Sequence, residues 1–428
     1  MRNRSFAALC AASLWACPAL AADQTKPGEG NATAAEISAA SPLVARSIDY
    51  LVEQARRIRD PHLRAETLDA IANPNTCIRH RAGLSAADKA AIVQTLVGEG
   101  LVNAALDKTQ PGGLLAGVFP PVADDGTSCP KLPMPFGAAP GSSFHSHHAF
   151  PGGLAVHESF NERSDQSFAQ NYRRNYRSHA GSSGEEDGEV HELASGIFVD
   201  EDLIIAAPLW HDWSKPIVFQ WAADGTEFLE LNIGGAGGGT DGFGGAAGDS
   251  QTGGHHILAV AEAMARGFSP EMIVTQASAH SNPTLGNEFK VVNWVRAAAV
   301  IARVDPLKAG YLVVVNGVYR LPPLRRLASG VDLVAAGQLN FLPEYSIHNL
   351  SDSDFTLTIP AVNISEAILP KLAPLYGYDP ADTVRYNWKF RNTVLSNVAG
   401  ERILFAYQAG GLAEVQKLID ALRATGKL

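Results

Sequence analysis

Between residues 145 and 307 the chain sets histidines and aspartates beside helix-like apolar runs. The strings are HSHHAFPGGLAVHESF (145–160), DLIIAAPLWHDWSK (202–215), GGHHILAVAEAM (253–264), QASAHSNP (276–283) and WVRAAAVIARVDPL (294–307). A helical backbone gives each such side chain a fixed direction, so these segments can aim their polar groups inward at one place. His157, His211, Asp212, His256, His280 and Asp305 form the spaced series of metal-ligand side chains. Imidazole and carboxylate together suit Fe, Mn or Zn, whereas a set of carboxylates alone would favour Mg or Ca. Neighbours on a helix point roughly 100° apart. His211 and Asp212 can therefore face one ion each, or Asp212 can bridge two divalent transition metal ions about 3.5–4 Å apart.

The first residues, MRNRSFAALCAASLWACPALAADQ, combine Arg2 and Arg4, an apolar stretch and Ala19-Leu20-Ala21. This predicts a signal peptide over 1–21 and export, with the periplasm as destination. The formal charge is −10; losing two arginines and no acid takes it to −12, which disfavours nucleic acid as a partner. Elsewhere no apolar run approaches the roughly 18 residues of a membrane span. Cleavage leaves Cys77 and Cys129, an even count that predicts a disulfide in an oxidising compartment.

Residues 22–35 read as a disordered polar leader. Residues 36–141 read as a helical region, with a helix opening on Ser85, followed by a connection rich in Pro and Gly. The metal-ligand region spans 142–306. Within it, PIVFQW and EFLELNI flank Asp224-Gly225 and predict an inserted β-hairpin. A tract over 234–254 follows, in which 11 of 21 residues are glycine; it reads as a flexible loop or as a mobile lid beside the metals. Ser269-Pro270-Glu271 opens a helix that ends near His280, and another runs from Asn287 to about Arg303. Residues 307–428 read as a mixed α/β extension, with β-like runs YLVVVNGVY and FTLTIPAV and a helix over 413–425. The chain is thus mainly α.

Several of these strings carry a resemblance. HHAFPGGLAVH looks like the HHAYPGGLLEH string of HD-type phosphohydrolases and 3′–5′ exoribonucleases, LWHDWSK resembles their LLHDIGK, and VIARVDPL resembles their closing hxADxLD aspartate. GGHHIL and ASAHSN resemble the extra histidines of binuclear members. The region of residues 144–307 therefore resembles the HD-domain superfamily of metal-dependent phosphohydrolases. That resemblance implies a helical bundle around the metals, with His157, His211, a bridging Asp212 and Asp305 as the basic ligand set. His256 and His280 would serve the second ion, with His255 competing for the place of His256, and Lys215 would meet phosphate. Trp213-Ser214 departs from the usual Ile-Gly.

The expected activity is hydrolysis of a phosphomonoester or phosphodiester, with nucleotides among the candidates, by a metal-activated hydroxide. Asp212 and Lys215 would act at the reacting phosphate of a small phosphorylated substrate. His148 is placed on the substrate side, and Arg173, Arg174 and Arg177 offer either a phosphate grip or a solvated face. Two other readings stay open: a di-iron oxygenase on the same fold, resembling myo-inositol oxygenase, and a non-catalytic exported ligand-binding module.

Overall fold

The computed structural model describes residues 26–176, 198–236, 250–283, 286–324 and 342–428. The predicted signal peptide, Arg177 and most of the glycine tract lie outside these residues. Among the described residues the architecture is mainly helical. In chain order the helices are α1 Asn31–Ala39, α2 Pro42–Arg57, α3 Pro61–Ala72, α4 Ala86–Gly98, α5 Gly113–Val118, α6 Gly153–Tyr176, α7 Glu201–Trp210 and α8 Lys215–Val218. They continue with α9 Gly254–Ala265, α10 Pro270–Ala277, α11 Glu288–Ala302, α12 Pro343–Ser351, α13 Phe355–Leu372, α14 Thr383–Tyr386, α15 Thr393–Val398 and α16 Gly400–Ala424. Two short antiparallel ribbons, β1 Asn232–Ile233 with β2 Thr252–Gly253 and β3 Val313–Val315 with β4 Val318–Arg320, complete the described elements.

Helix starts follow their local chemistry. Ser41 before Pro42, Asp60 before Pro61 and Ser269 before Pro270 each accept a backbone N–H of the first turn, and proline gives up no hydrogen bond at that position. Ser85 and Asp88 cap α4 reciprocally, as the sequence predicts.

Four expectations are corrected. The leader does not extend to residue 35, because α1 begins at Asn31. Asn31 is buried and pinned, donating from Nδ2 to the Pro133 carbonyl at 3.2 Å and accepting from Trp221 N at 2.9 Å. The inserted hairpin reduces to one bridge, Trp221 with Glu227, because PIV continues as the helical turn α8. The strand-like end of EFLELNI pairs instead across the glycine tract, Ile233 with Thr252. FTLTIPAV lies in α13, where Thr358, Ala361, Val362, Ser365, Ile368, Leu369 and Leu372 are buried at a helical spacing. Burial of that face outweighs the strand preference of its β-branched residues. YLVVVNGVY does form a ribbon, β3 with β4.

Trp210, Trp213, Trp221 and Trp294 are buried in the larger core. A second core, made mostly by α13 to α16, takes in Phe150 from the segment before α6. Helix α6 packs against α2, α7 and α12. Cys77 and Cys129 are joined by a disulfide that ties the Pro/Gly connection to the segment after α3. No helix among the described residues is long and apolar enough to cross a membrane.

Helix α9 is anchored at its far end by Glu262, whose carboxylate accepts from Arg79 N at 3.0 Å, His80 N at 3.1 Å and Arg266 Nε at 2.8 Å. Burial alone would raise this carboxyl, but His80, Arg266 and the Arg79 N–H pull it down to about 2. A carboxyl depressed in the folded state contributes stability that is whole above its ordinary range near 4.5 and lost as pH falls through about 2. The contribution at neutral pH is on the order of 3 kcal/mol. Urea unfolding of wild type and Glu262→Gln between pH 2 and 7 should show a gap of that size that closes on acidification. A gap that does not vary with pH would contradict the assignment.

Candidate metal centre

Three elements and one loop aim imidazoles at a common point. His157 stands on the first turns of α6, His211 ends α7, and His255 lies on the first turn of α9. His280 follows α10. The approach to α6 depends on Gly152 and Gly153. Gly152 sits at φ +88°, and a Cβ on Gly153 would come within 1.8 Å of the His148 carbonyl. His148 itself adopts φ +49°, a conformation costly for a non-glycine residue and found where a site over-determines it.

Two carboxylates stand between the rings. His157 Nε2 lies 3.3 Å from Asp212 Oδ2 and 3.2 Å from Asp352 Oδ1. His211 Nε2 lies 3.3 Å and 3.2 Å from the same two oxygens. On the other side, His255 Nε2 is 3.1 Å from Asp212 Oδ1, and His280 Nε2 is 3.8 Å from Asp352 Oδ2. Each carboxylate thus gives one oxygen to the pair His157/His211 and turns the other to one ring of the second pair, Asp212 to His255 and Asp352 to His280. Ligands held tetrahedrally at roughly 2.0–2.1 Å from an ion stand about 3.3 Å apart, so the donor separations fit a transition-metal ion at the first position. These buried histidine and aspartate groups can hold metal ions.

The far nitrogen of each ring is also engaged. His157 Nδ1 is 3.2 Å from Asp354 Oδ1, and His211 Nδ1 is 2.9 Å from the Pro208 carbonyl and 3.3 Å from Glu158 Oε2. His255 Nδ1 meets Glu230 Oε2 at 2.6 Å, and His280 Nδ1 meets Thr252 Oγ1 at 2.7 Å. Partners on Nδ1 fix the tautomer that leaves Nε2 free to donate a lone pair, which is how metal-binding histidines are oriented.

The charge balance follows from these contacts. Burial would lower His157, but Asp354, Asp212 and Asp352 hold it well above the imidazole range; His211 behaves likewise beside Asp212, Glu158 and Asp352. Burial would raise Asp212, but His211, Lys215 and His255 hold it well below the carboxylate range. His280 is pushed down to about 4, chiefly by burial. The buried rings of His157 and His211 thus face an excess of negative charge, which a cation would balance.

Several expected site residues take other places. Asp305 is outside the cluster. Arg303, at φ +58°, ends α11 and turns the chain to the surface, where Asp305 caps its own turn through Leu307 N and Lys308 N at 3.1 and 3.2 Å. Asp352 stands in the cluster instead. His256 points away from the carboxylates: its Nε2 is 3.1 Å from the Ala277 carbonyl and its ring stacks on His280 at 4.2 Å, so the neighbouring His255 is the one facing Asp212. Arg173 is buried and committed to the Val199 carbonyl and Glu201, at 3.0 and 3.2 Å, which makes it a clamp between α6 and α7 rather than a substrate contact. The ammonium of Lys215 is buried against Asp212 and the Gly141 carbonyl. His148 Nε2 lies 3.0 Å from Asp354 Oδ2, beside the centre.

Asp352, Asp354, Glu158 and Glu230 are the residues that sequence reasoning missed. The first two sit in HNLSDSD (348–354), where a histidine precedes two closely spaced aspartates, the one local signal that could have drawn attention. No protein-family model, curated protein or solved structure matches the chain.

Proposed function

We propose that the chain is an exported, metal-dependent hydrolase of phosphate esters on an HD-type helical scaffold, acting on a small phosphomonoester or phosphodiester. The observation that carries this reading is the convergence of four imidazoles on two carboxylates that each offer an oxygen to both sides. Fe, Mn or Zn fits this donor set. Such ions supply, when bound, a lowered pKa for a coordinated water and Lewis acidity toward a phosphoryl oxygen.

The chain's own groups do the rest. Asp212 and Asp352 hold the two positions in register. Lys215, against Asp212, fixes that carboxylate and places positive charge at the edge of the centre. The His147 ring packs 4.8 Å from that of His157, and burial and Lys215 hold its imidazole well below its usual range. The commitment of Arg173 to Glu201 leaves that arginine unable to grip a phosphate. The same donor set serves a second reading, a di-iron oxygenase with the same ligands.

A screen of phosphate esters under anaerobic conditions, with elemental analysis, decides between them. The hydrolase reading expects turnover that a chelator abolishes and Mn²⁺ or Zn²⁺ restores. Asp212→Ala should lose both ions and about a thousandfold in rate, equivalent to about 4 kcal/mol. Oxygen consumption by an iron-loaded protein inert toward every ester would overturn it.

A further inference from the structure

The two halves of the centre are built differently. His157 and His211 are fully buried, whereas the side chains of His255 and His280 are 9% and 22% exposed. Carboxylates lie behind both rings of the first pair: Asp354 meets His157 Nδ1, and Glu158 Oε2 is 3.3 Å from His211 Nδ1, whose hydrogen bond goes to the Pro208 carbonyl. In the second pair Glu230 backs His255, but His280 has only the neutral hydroxyl of Thr252. A carboxylate behind an imidazole raises its basicity and its grip on a cation, and a hydroxyl does so less. Donor spacing is even around the first pair, at 3.2–3.3 Å, and uneven around the second, at 3.1 Å between His255 and Asp212 but 3.8 Å between His280 and Asp352. Against this, the Lys215 ammonium meets Asp212 Oδ2, the oxygen that faces His157 and His211, and the carboxylates of Asp354 and Glu158 beside the same two rings oppose its charge.

We infer that the two positions bind divalent transition ions unequally: the one between His157 and His211 retains its ion, and the one between His255 and His280 holds an ion that exchanges with the medium. This rests on the two-position reading given above. The exchangeable position is the solvent-facing one, so it also keeps coordination places open to small ligands. Free metal concentration then sets the fraction of fully loaded chains, while the retained ion stays as part of the fold.

The test uses the full chain loaded with excess Zn²⁺ and dialysed against graded concentrations of a competing chelator, with metal counted per chain. Two ions should fall to a plateau of one before the second leaves, the two releases separated by at least about tenfold in chelator. His280→Ala should hold one ion, released where the tighter wild-type ion is released. Thr252→Val keeps every ligand and removes only the hydroxyl behind His280; it should shift the first release by about tenfold and leave the second unchanged. Loss of both wild-type ions in one step, a Thr252→Val effect on the tighter ion, or two ions retained by His280→Ala would overturn the inequality. Wild type that never takes up more than one ion would overturn the two-position reading itself.

Discussion

Asp352→Ala is expected to empty both ion positions and to cost about a thousandfold in turnover, while Asp305→Ala leaves metal content at the wild-type value. Asp352 Oδ1 stands 3.2 Å from both His157 and His211, and its Oδ2 faces His280. Removing it takes one anionic donor from each position and leaves buried imidazoles facing one another. Burial would otherwise raise this carboxyl, and His211 and His157 hold it well below the ordinary range. Asp305, in contrast, bonds only its own turn and Lys308, with its side chain 46% exposed. Elemental analysis of the two purified variants, beside circular dichroism to show that both fold, compares them directly. Equal metal loss in both, or in neither, would refute the placement of Asp352 as a shared ligand.

Reduction of the Cys77–Cys129 bridge is expected to lower the free energy of unfolding by about 4 kcal/mol, from the chain entropy of the 52-residue separation it closes. The bridge fastens a connection with little regular structure: Ile78 N donates to the Pro130 carbonyl at 2.7 Å beside it, and the Cys77 carbonyl accepts from Arg266 at 3.0 Å. The same connection continues to Gly141, whose carbonyl holds Lys215. Denaturant unfolding of the oxidised chain, the reduced chain and the Cys77→Ser/Cys129→Ser variant measures the loss. A difference under about 1 kcal/mol would show that the connection is held by its other contacts, and two alkylatable thiols in native oxidised material would rule the bridge out.

What the sequence made legible is what local pattern controls. His157 and the His211-Asp212 pair stood out because apolar helical runs adjoin them, and the capped starts at Ser85 and Ser269 followed from side-chain chemistry one turn long. The disulfide followed from a count. The closing acid was not legible, because a solitary aspartate after α11 resembles the expected pattern locally while a left-handed residue two positions earlier sends it outward. Asp352 reaches the centre only through the packing of α12 on α6 and α7, which no neighbouring residue announces. The choice between His255 and His256 was similarly a question of helix rotation, decided by contacts with Glu230 and Ala277. For FTLTIPAV, strand propensity was read where a buried face with helical spacing prevailed.

Because Asp352 belongs to the last third of the chain, the two shared carboxylates come from segments that only the finished fold brings together. His157 and Asp354, which bond each other, lie 197 positions apart. A polypeptide that has emerged only through α11 carries the four rings with Asp212 alone of the two shared carboxylates. The complete donor set exists only once α12 lies against α6. If the chain crosses a membrane unfolded, that set first exists at its destination.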